Sequence, residues 1–364
     1  MLSILRTGIL PHGHSYTDAV AVSPGGDFVA LAGGVTLTIV HVSEEKRVFS
    51  LENEAEVTCM FWLDGMTLMY GTGAGRVMTV GVTRVALAER ISDFVVSGIF
   101  ASLDRPVSAL AVEGAYLAVA TQDSVQCWQY SSHGTGNRWI YCMTYRPLGE
   151  LAFNQSFNNL AWSEDAKWLY AASDRLYCCW ERGSLCPHIE RVLPLQTNLL
   201  TFLPSIPSIL LFVSDTGSPD TACYLQICEA DSLLPNQSQA VRNGLSGGRK
   251  CVFHSKNVTL YVDGTLLIQW THDNNRIDSV NLPEAAQHLT AISCVEDGGR
   301  IGNVILSTPE FLFFLSLPVA VPDTPIDPLC DETKMLPANR RGPILGIVFI
   351  SVVAAILALM YTCS

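Results

Sequence analysis

Between residues 19 and 317, apolar and polar positions alternate in short runs, and clusters of Gly, Pro, Asp and Ser separate the runs. Alternation with a period of two marks a strand that rests one face on a core, and such clusters mark the turns between strands. Three strands recur as one unit: an alternating strand, a turn, a second strand ending in small residues, another turn, and a third strand. The unit is clear at Ala19 to Val42, Val57 to Val82, Val107 to Tyr130 and Asn158 to Trp180. It returns in looser form at Leu199 to Ile227, Lys250 to Trp270 and Leu289 to Leu317. Helical periodicity is confined to two short stretches, Thr83 to Ile91 and Pro283 to His288.

Seven units over 317 residues come to about 45 residues each, the length of one propeller blade. The pattern therefore predicts an all-β, seven-bladed β-propeller over residues 1–317, with a pair of β-sandwiches as the alternative packing. Pro24-Gly25-Gly26-Asp27 supplies a fixed φ and then positions tolerant of positive φ, as a hairpin turn requires. Small residues ending the second strands (Ala32-Gly33-Gly34, Gly71-Thr72-Gly73, Ala171-Ala172-Ser173) suit backbone crowding near a central axis. The segment Leu2 to Leu10 precedes the first unit and is free to supply the outer strand of the last blade.

At Ile344 the pattern changes. Residues 344–361 read ILGIVFISVVAAILALMY, eighteen positions without a charge. At 1.5 Å per residue this is about 27 Å of helix, enough for a thin bilayer, and it is apolar on all sides rather than on one stripe. The expectation is one C-terminal transmembrane helix in an anchor spanning 340–364. Lys334, Arg340 and Arg341 precede it and nothing basic follows, which places the preceding domain in the cytosol. Prolines at 318, 322, 325, 328 and 337 make 318–339 an extended stalk with a reach of up to roughly 70 Å. The triplets at Asn154, Asn236 and Asn257 match glycosylation acceptors and would matter only on the opposite side of a membrane. The N-terminus lacks the sustained apolar run of a signal peptide.

Composition narrows the partners. Of the 364 residues, 49% are apolar and only 15% charged, with 22 basic against 34 acidic side chains and a net charge of −12. A surface so poor in clustered Lys and Arg is unsuited to nucleic acid. Twelve irregularly spaced cysteines read as reduced thiols rather than a disulfide framework.

The chemical candidates are few. Gly71-Thr72-Gly73-Ala74-Gly75 has the composition of a phosphate-binding loop, but the following Arg76 to Val80 reads as a strand, not a helix whose amides would hold phosphate; the reading is a hairpin turn. Cys178, Cys179, Cys186 and His188 are compact, yet adjacent cysteines on a strand point to opposite faces, against a zinc site. His14 with Asp18 and His254 with Asp263 are the available acid–base pairs, and nothing in their spacing demands one. No catalytic residue, cofactor, metal or small-molecule substrate is predicted. The runs Ser43-Glu44-Glu45-Lys46-Arg47 and Glu52-Asn53-Glu54-Ala55-Glu56 lie between the expected strands and are candidate partner-facing loops. Small residues four apart, Gly342 with Gly346 and Ser351 with Ala355, permit close packing of two anchor helices.

His12-Gly13-His14 and Ala21-Val22-Ser23-Pro24-Gly25-Gly26-Asp27 resemble the Gly-His and Ser-Pro-Asp-Gly elements of WD40 repeats. Cys127-Trp128, Cys179-Trp180 and Gln269-Trp270 resemble the third-strand Trp of that family. The Trp-Asp pair itself is missing, since Gln129, Glu181 and Thr271 follow the three tryptophans, and the family's buried His, Ser/Thr, Asp, Trp network cannot be drawn. The whole is similar to tail-anchored WD40-like proteins of fungi. The resemblance implies a non-enzymatic scaffold that binds protein partners through propeller loops and the membrane through residues 344–361, at the endoplasmic reticulum or a connected endomembrane. The alternative it implies is a nucleotide exchange factor for a small GTPase at the endoplasmic reticulum, which shares the order of propeller then single span. That class carries a glycine-rich insertion in its first blade, whereas Gly33-Gly34 here runs straight into Val35-Thr36-Leu37.

Overall fold

The computed structural model describes residues 6–11, 19–82, 94–131, 138–149, 156–173, 175–193, 197–203, 208–215, 222–229, 232–241, 252–254, 257–282, 284, 289, 291–297, 300–308 and 311–316. The stalk, the anchor with its apolar run, nearly all of both helix candidates, and His14, Asp18 and Asn154 lie outside them. Among the described residues no helix is long and apolar enough to cross a membrane. By contact the chain divides into Met1–Val319 and Ala320–Ser364.

Among the described residues, twenty-eight strands form seven four-stranded antiparallel sheets. The first strand, β1 (Arg6–Pro11), belongs to the last sheet. Blade one is β2 (Ala19–Val22), β3 (Phe28–Gly33), β4 (Thr36–His41) and β5 (Lys46–Glu52); blade two is β6 (Val57–Trp62), β7 (Thr67–Thr72), β8 (Arg76–Val82) and β9 (Phe94–Ser102). Blade three is β10 (Ala109–Glu113), β11 (Tyr116–Ala120), β12 (Val125–Ser131) and β13 (Arg138–Tyr145); blade four is β14 (Asn159–Trp162), β15 (Trp168–Ala172), β16 (Leu176–Glu181) and β17 (Ile189–Val192). Blade five is β18 (Thr197–Leu203), β19 (Ser208–Asp215), β20 (Ala222–Glu229) and β21 (Pro235–Val241). Blade six is β22 (Val252–His254), β23 (Val258–Asp263), β24 (Leu266–Thr271) and β25 (Arg276–Asn281). Blade seven joins β26 (Ala291–Asp297), β27 (Arg300–Ser307) and β28 (Phe311–Ser316) to β1, with Arg6 opposite Ser316 and Pro11 opposite Phe311.

The seven units expected from the sequence supply the first three strands of every blade. The sequence pattern does not show the fourth strand: Lys46 and Arg47, expected in one charged loop, and Glu52, expected in the next, are the two ends of β5, and the equivalent outer strands of blades two to six are likewise additions. The N-terminal segment does complete the last blade.

Packing makes the array radial. The first strand of each blade neighbours the first strand of the next, from β2 round to β26 and back to β2. Each interface between blades has its own apolar cluster. Phe28, Ala30 and Ile39 meet Trp62, Leu68 and Tyr70 of blade two, while Val29, Leu31 and Val40, which point the opposite way, meet Ile305 and Leu312 of blade seven. Middle strands are thus buried on both faces, which is why β3 reads as a continuous apolar run instead of alternating. Two first turns share one device. The Ser23 hydroxyl accepts the Phe28 N–H at 3.0 Å, and the Ser163 hydroxyl accepts the Trp168 N–H at 2.9 Å; Gly26 (φ +74) and Ala166 (φ +51) take the left-handed position three residues after each serine.

The small residues at second-strand ends divide by cause. A Cβ on Gly71 would run into Val107 and lie 2.8 Å from the Cys59 sulfur, so crowding by neighbouring strands excludes a side chain there. Gly34 has open space around it and is needed for its φ of +56.

Candidate interaction face

One face of the propeller gathers the connections between blades and the turns joining second to third strands. Between blades one and two it is tied down by hydrogen bonds. Asn53 donates from its backbone N–H (2.8 Å) and its side-chain amide (3.1 Å) to the Val35 carbonyl, and the Val57 N–H donates to the Gly34 carbonyl at 2.8 Å. The buried Tyr70 hydroxyl donates to Asn53 Oδ1 at 2.8 Å; burial pushes its pKa up to about 12, so it remains a donor at any physiological pH. The Gly73 N–H meets the Glu56 carbonyl at 2.9 Å, Leu103 N–H the Gly75 carbonyl at 2.8 Å, and Val107 N–H the Thr72 carbonyl at 3.1 Å. The turn 73–75 is therefore clamped between both neighbouring connections.

Beside this framework, and sharing Asn53 and Thr72 with it, lies an open pocket of about 200 Å³ lined by Leu51, Glu52, Asn53, Glu54, Arg76 and Met78, among others. Arg76 Nη1 lies 2.6 Å from Glu54 Oε2, and Glu54 is largely exposed. Of the two lining carboxylates, Glu54 is paired with this guanidinium and Glu52 is left over, so the lining carries one net negative charge over an apolar floor. A cationic side chain on an apolar stem suits it.

No family model matches the chain, and no curated protein matches it. Solved structures do: 1220 chains match, which marks a common architecture rather than a particular activity. One, in "Crystal Structure of Mitotic Checkpoint Complex", superposes with a TM-score of 0.60 over 86% of this chain and 94% of that chain, at 12% identity. The shared property is the seven-bladed β-propeller fold.

Other candidates resolve as structure. Gly71 and Thr72 end β7 and Gly73 to Gly75 turn the chain into β8, with a strand and not a helix following. Cys178 and Cys179 are buried on opposite faces of β16, in the clusters toward blades three and five, while Cys186 is exposed. Burial raises the pKa of Cys59 and Cys127 to about 12 and of Cys228 to about 11, and desolvation also raises Cys178. These thiols stay protonated and unreactive. Among the described residues no group of three His, Cys, Asp or Glu side chains is placed to hold a metal. His254 pairs with Thr259 in the register of β22 and β23, leaving Asp263 at the far end of that strand. Blade one passes from β3 to β4 through Gly34-Val35 alone, without the inserted loop that exchange activity was expected to require. Asn236 is exposed on β21 and Asn257 half-buried.

One polar arrangement has no signature in the residue pattern. In blade six, buried Thr259 and His272 share a hydrogen bond of 2.8 Å, and the neighbouring Trp270 donates its ring N–H to Asn275 at 2.8 Å. Thr, His and Trp thus do meet in one blade. The partners come from β23, β24 and the turn after it, thirteen residues apart, a spacing that has no local signature.

Proposed function

We propose that this chain is a membrane-tethered, cytosolic, non-enzymatic scaffold that recruits a protein partner through the loop face of its propeller, with residues 344–361 as the tether. The observation that carries the reading is the clamped acidic pocket between blades one and two. Its hydrogen-bonded walls are preorganised, so little ordering entropy opposes binding, and its charge selects a basic segment. The apolar run, its flanking Lys334, Arg340 and Arg341, and the prolines before it support the tether and its orientation.

Two measurements test this. Full-length protein should resist carbonate extraction from membranes, and its propeller should be digested by protease added to intact microsomes; extraction with carbonate, or protection from protease, contradicts the tether or its orientation. Proximity labelling in cells with the native chain and with E52K/E54K together should lose a defined set of neighbours in the variant. An unchanged set removes the pocket from the proposal.

A further inference from the structure

The outermost strand of each blade is paired on one side only, leaving a row of backbone N–H and C=O groups on the other, and soluble proteins guard such edges with charge, proline or polar side chains. Most edges here are guarded: β5 begins Lys46-Arg47, β21 reads PNQSQAV and β25 reads RIDSVN. The edges of blades two and three lack this guard: β9 reads FVVSGIFAS with Val95 exposed, and blade three adds exposed aromatic rings. β13 reads RWIYCMTY, and Ile140 and Tyr141 are 43% and 53% exposed, with Tyr130 of the adjoining β12 at 38%.

The exposed rings are organised. Trp139 packs edge-on to Tyr130 (5.2 Å between centroids) and to Phe100 of blade two (6.0 Å), and Tyr141 packs on Trp128 at 5.9 Å. Together they line the blade-two side of the rim as an aromatic ladder. The pairing of β12 with β13 slips between Cys127 and Trp128, leaving Cys142 unpaired; beyond it Met143 and Tyr145 turn to the blade-four cluster. The bulge therefore limits the regular edge to Arg138–Tyr141, with apolar side chains on both of its faces.

Charge says what fits there. On a chain of net charge −12, no carboxylate occurs from residue 124 to 149, while Arg138 and Arg146 stand exposed at the two ends of β13. Neither is in an ion pair among the described residues. Glu190 of β17 is directed instead to the backbone N–H groups of Leu148 and Gly149, at 2.8 and 2.7 Å. We infer that the free edge of β13, from Arg138 to Tyr141, takes an extended peptide of a partner protein as a fifth strand of blade three, and that this peptide carries alternating apolar residues between acidic ends. Main-chain hydrogen bonds supply affinity, the aromatic ladder takes every second side chain, and the two arginines set specificity. A second copy of the chain is a poorer occupant, because it brings the same arginines and no carboxylate. The site is separate from the acidic pocket and independent of membrane tethering.

The test uses full-length chain in detergent and a fluorescent probe peptide, Asp-Val-Thr-Ile-Thr-Val-Glu, read by anisotropy. The expected result is saturable binding, weakened about tenfold when the probe's acidic ends become lysine or when Arg138→Glu is introduced, and abolished when the probe's inner amides are N-methylated. Bound probe should also slow thiol labelling at Cys142 but not at the exposed Cys186 of blade four. Tyr141→Lys, at a side chain exposed enough to leave folding intact by circular dichroism, should lose the probe. No binding up to about 1 mM, equal binding of acidic and basic probes, indifference to N-methylation, or an unprotected Cys142 each overturns the inference. So does a dimer that Tyr141→Lys dissolves, which assigns the edge to a second copy, or binding to anionic vesicles that the same variant loses, which assigns it to lipid.

Discussion

Gly75→Ala and Gly34→Ala form a matched pair that separates two costs. Both glycines have left-handed φ, +79 and +56, in equivalent turns of blades two and one. A side chain at either carries the strain of that conformation, about 1–2 kcal/mol, partly offset by the lower unfolded-state entropy of alanine, about 0.4–1 kcal/mol. Only at Gly75 is there also a clash. A Cβ there lies 2.7 Å from the Arg105 carbonyl oxygen, 3.1 Å from the Leu103 carbonyl carbon and closer still to the Leu103 oxygen. All three are backbone atoms, so no rotamer change relieves the contact; relief requires loosening the Leu103 to Gly75 hydrogen bond of 2.8 Å. Overpacking and the weakened bond add about 2–3 kcal/mol together. Gly34→Ala should therefore cost about 1 kcal/mol and Gly75→Ala about 3–4, seen as melting temperatures lowered by about 2 °C and about 6–8 °C. Urea unfolding followed by tryptophan fluorescence gives the same comparison. Equal losses in the two variants would mean that residues 103–105 yield freely, and that the turn under Arg76 is not clamped.

Three further perturbations have defined outcomes. Thr259→Val removes the hydroxyl facing His272 in blade six and should cost about 1–3 kcal/mol by urea unfolding; a loss below a few tenths shows the bond contributes nothing net. Glu113, whose pKa is raised by burial and then by Glu164, favours its protonated form in the fold. That contribution is present below the ordinary glutamate pKa and lost as pH rises through the raised value, so Glu113→Gln should stabilise at pH 7 by less than about 1 kcal/mol, with the gain vanishing near pH 4; a pH-independent difference contradicts the cause. Deleting residues 1–11 leaves β28 without its outer partner and should give a dye-binding, aggregating protein in size-exclusion chromatography; an intact monomer of unchanged stability would show that closure is dispensable.

What could be read from residues alone follows burial. First, second and third strands carry unbroken or alternating apolar runs, because the middle strands press on two neighbouring blades, and their turns hold Ser23, Gly26 and Gly34 where geometry needs them. Outer strands have one side in water: Arg276 to Asn281 and Pro235 to Val241 look like loops because solvent, not a core, selects their side chains. The error at Lys46 to Glu52 has that origin, and it turned two ends of one strand into separate loops. The acidic pocket was legible as charge but not as a shape, since its other wall, Arg76 and Met78, arrives from the next blade. The aromatic ladder was less visible still, as Phe100, Trp128 and Tyr141 are brought together only by pairing and blade stacking.

The union of β1 with β28 also sets a clock. Residues 6–11 emerge from the ribosome roughly 300 positions ahead of the strand they pair with, a delay of about 15–60 s at ordinary elongation rates. Bringing them together costs about 5 kcal/mol of chain entropy, recovered only when the final blade exists to receive them. The opening segment must stay unengaged throughout synthesis, so chaperone capture of nascent chains should be greatest just before residue 316 appears.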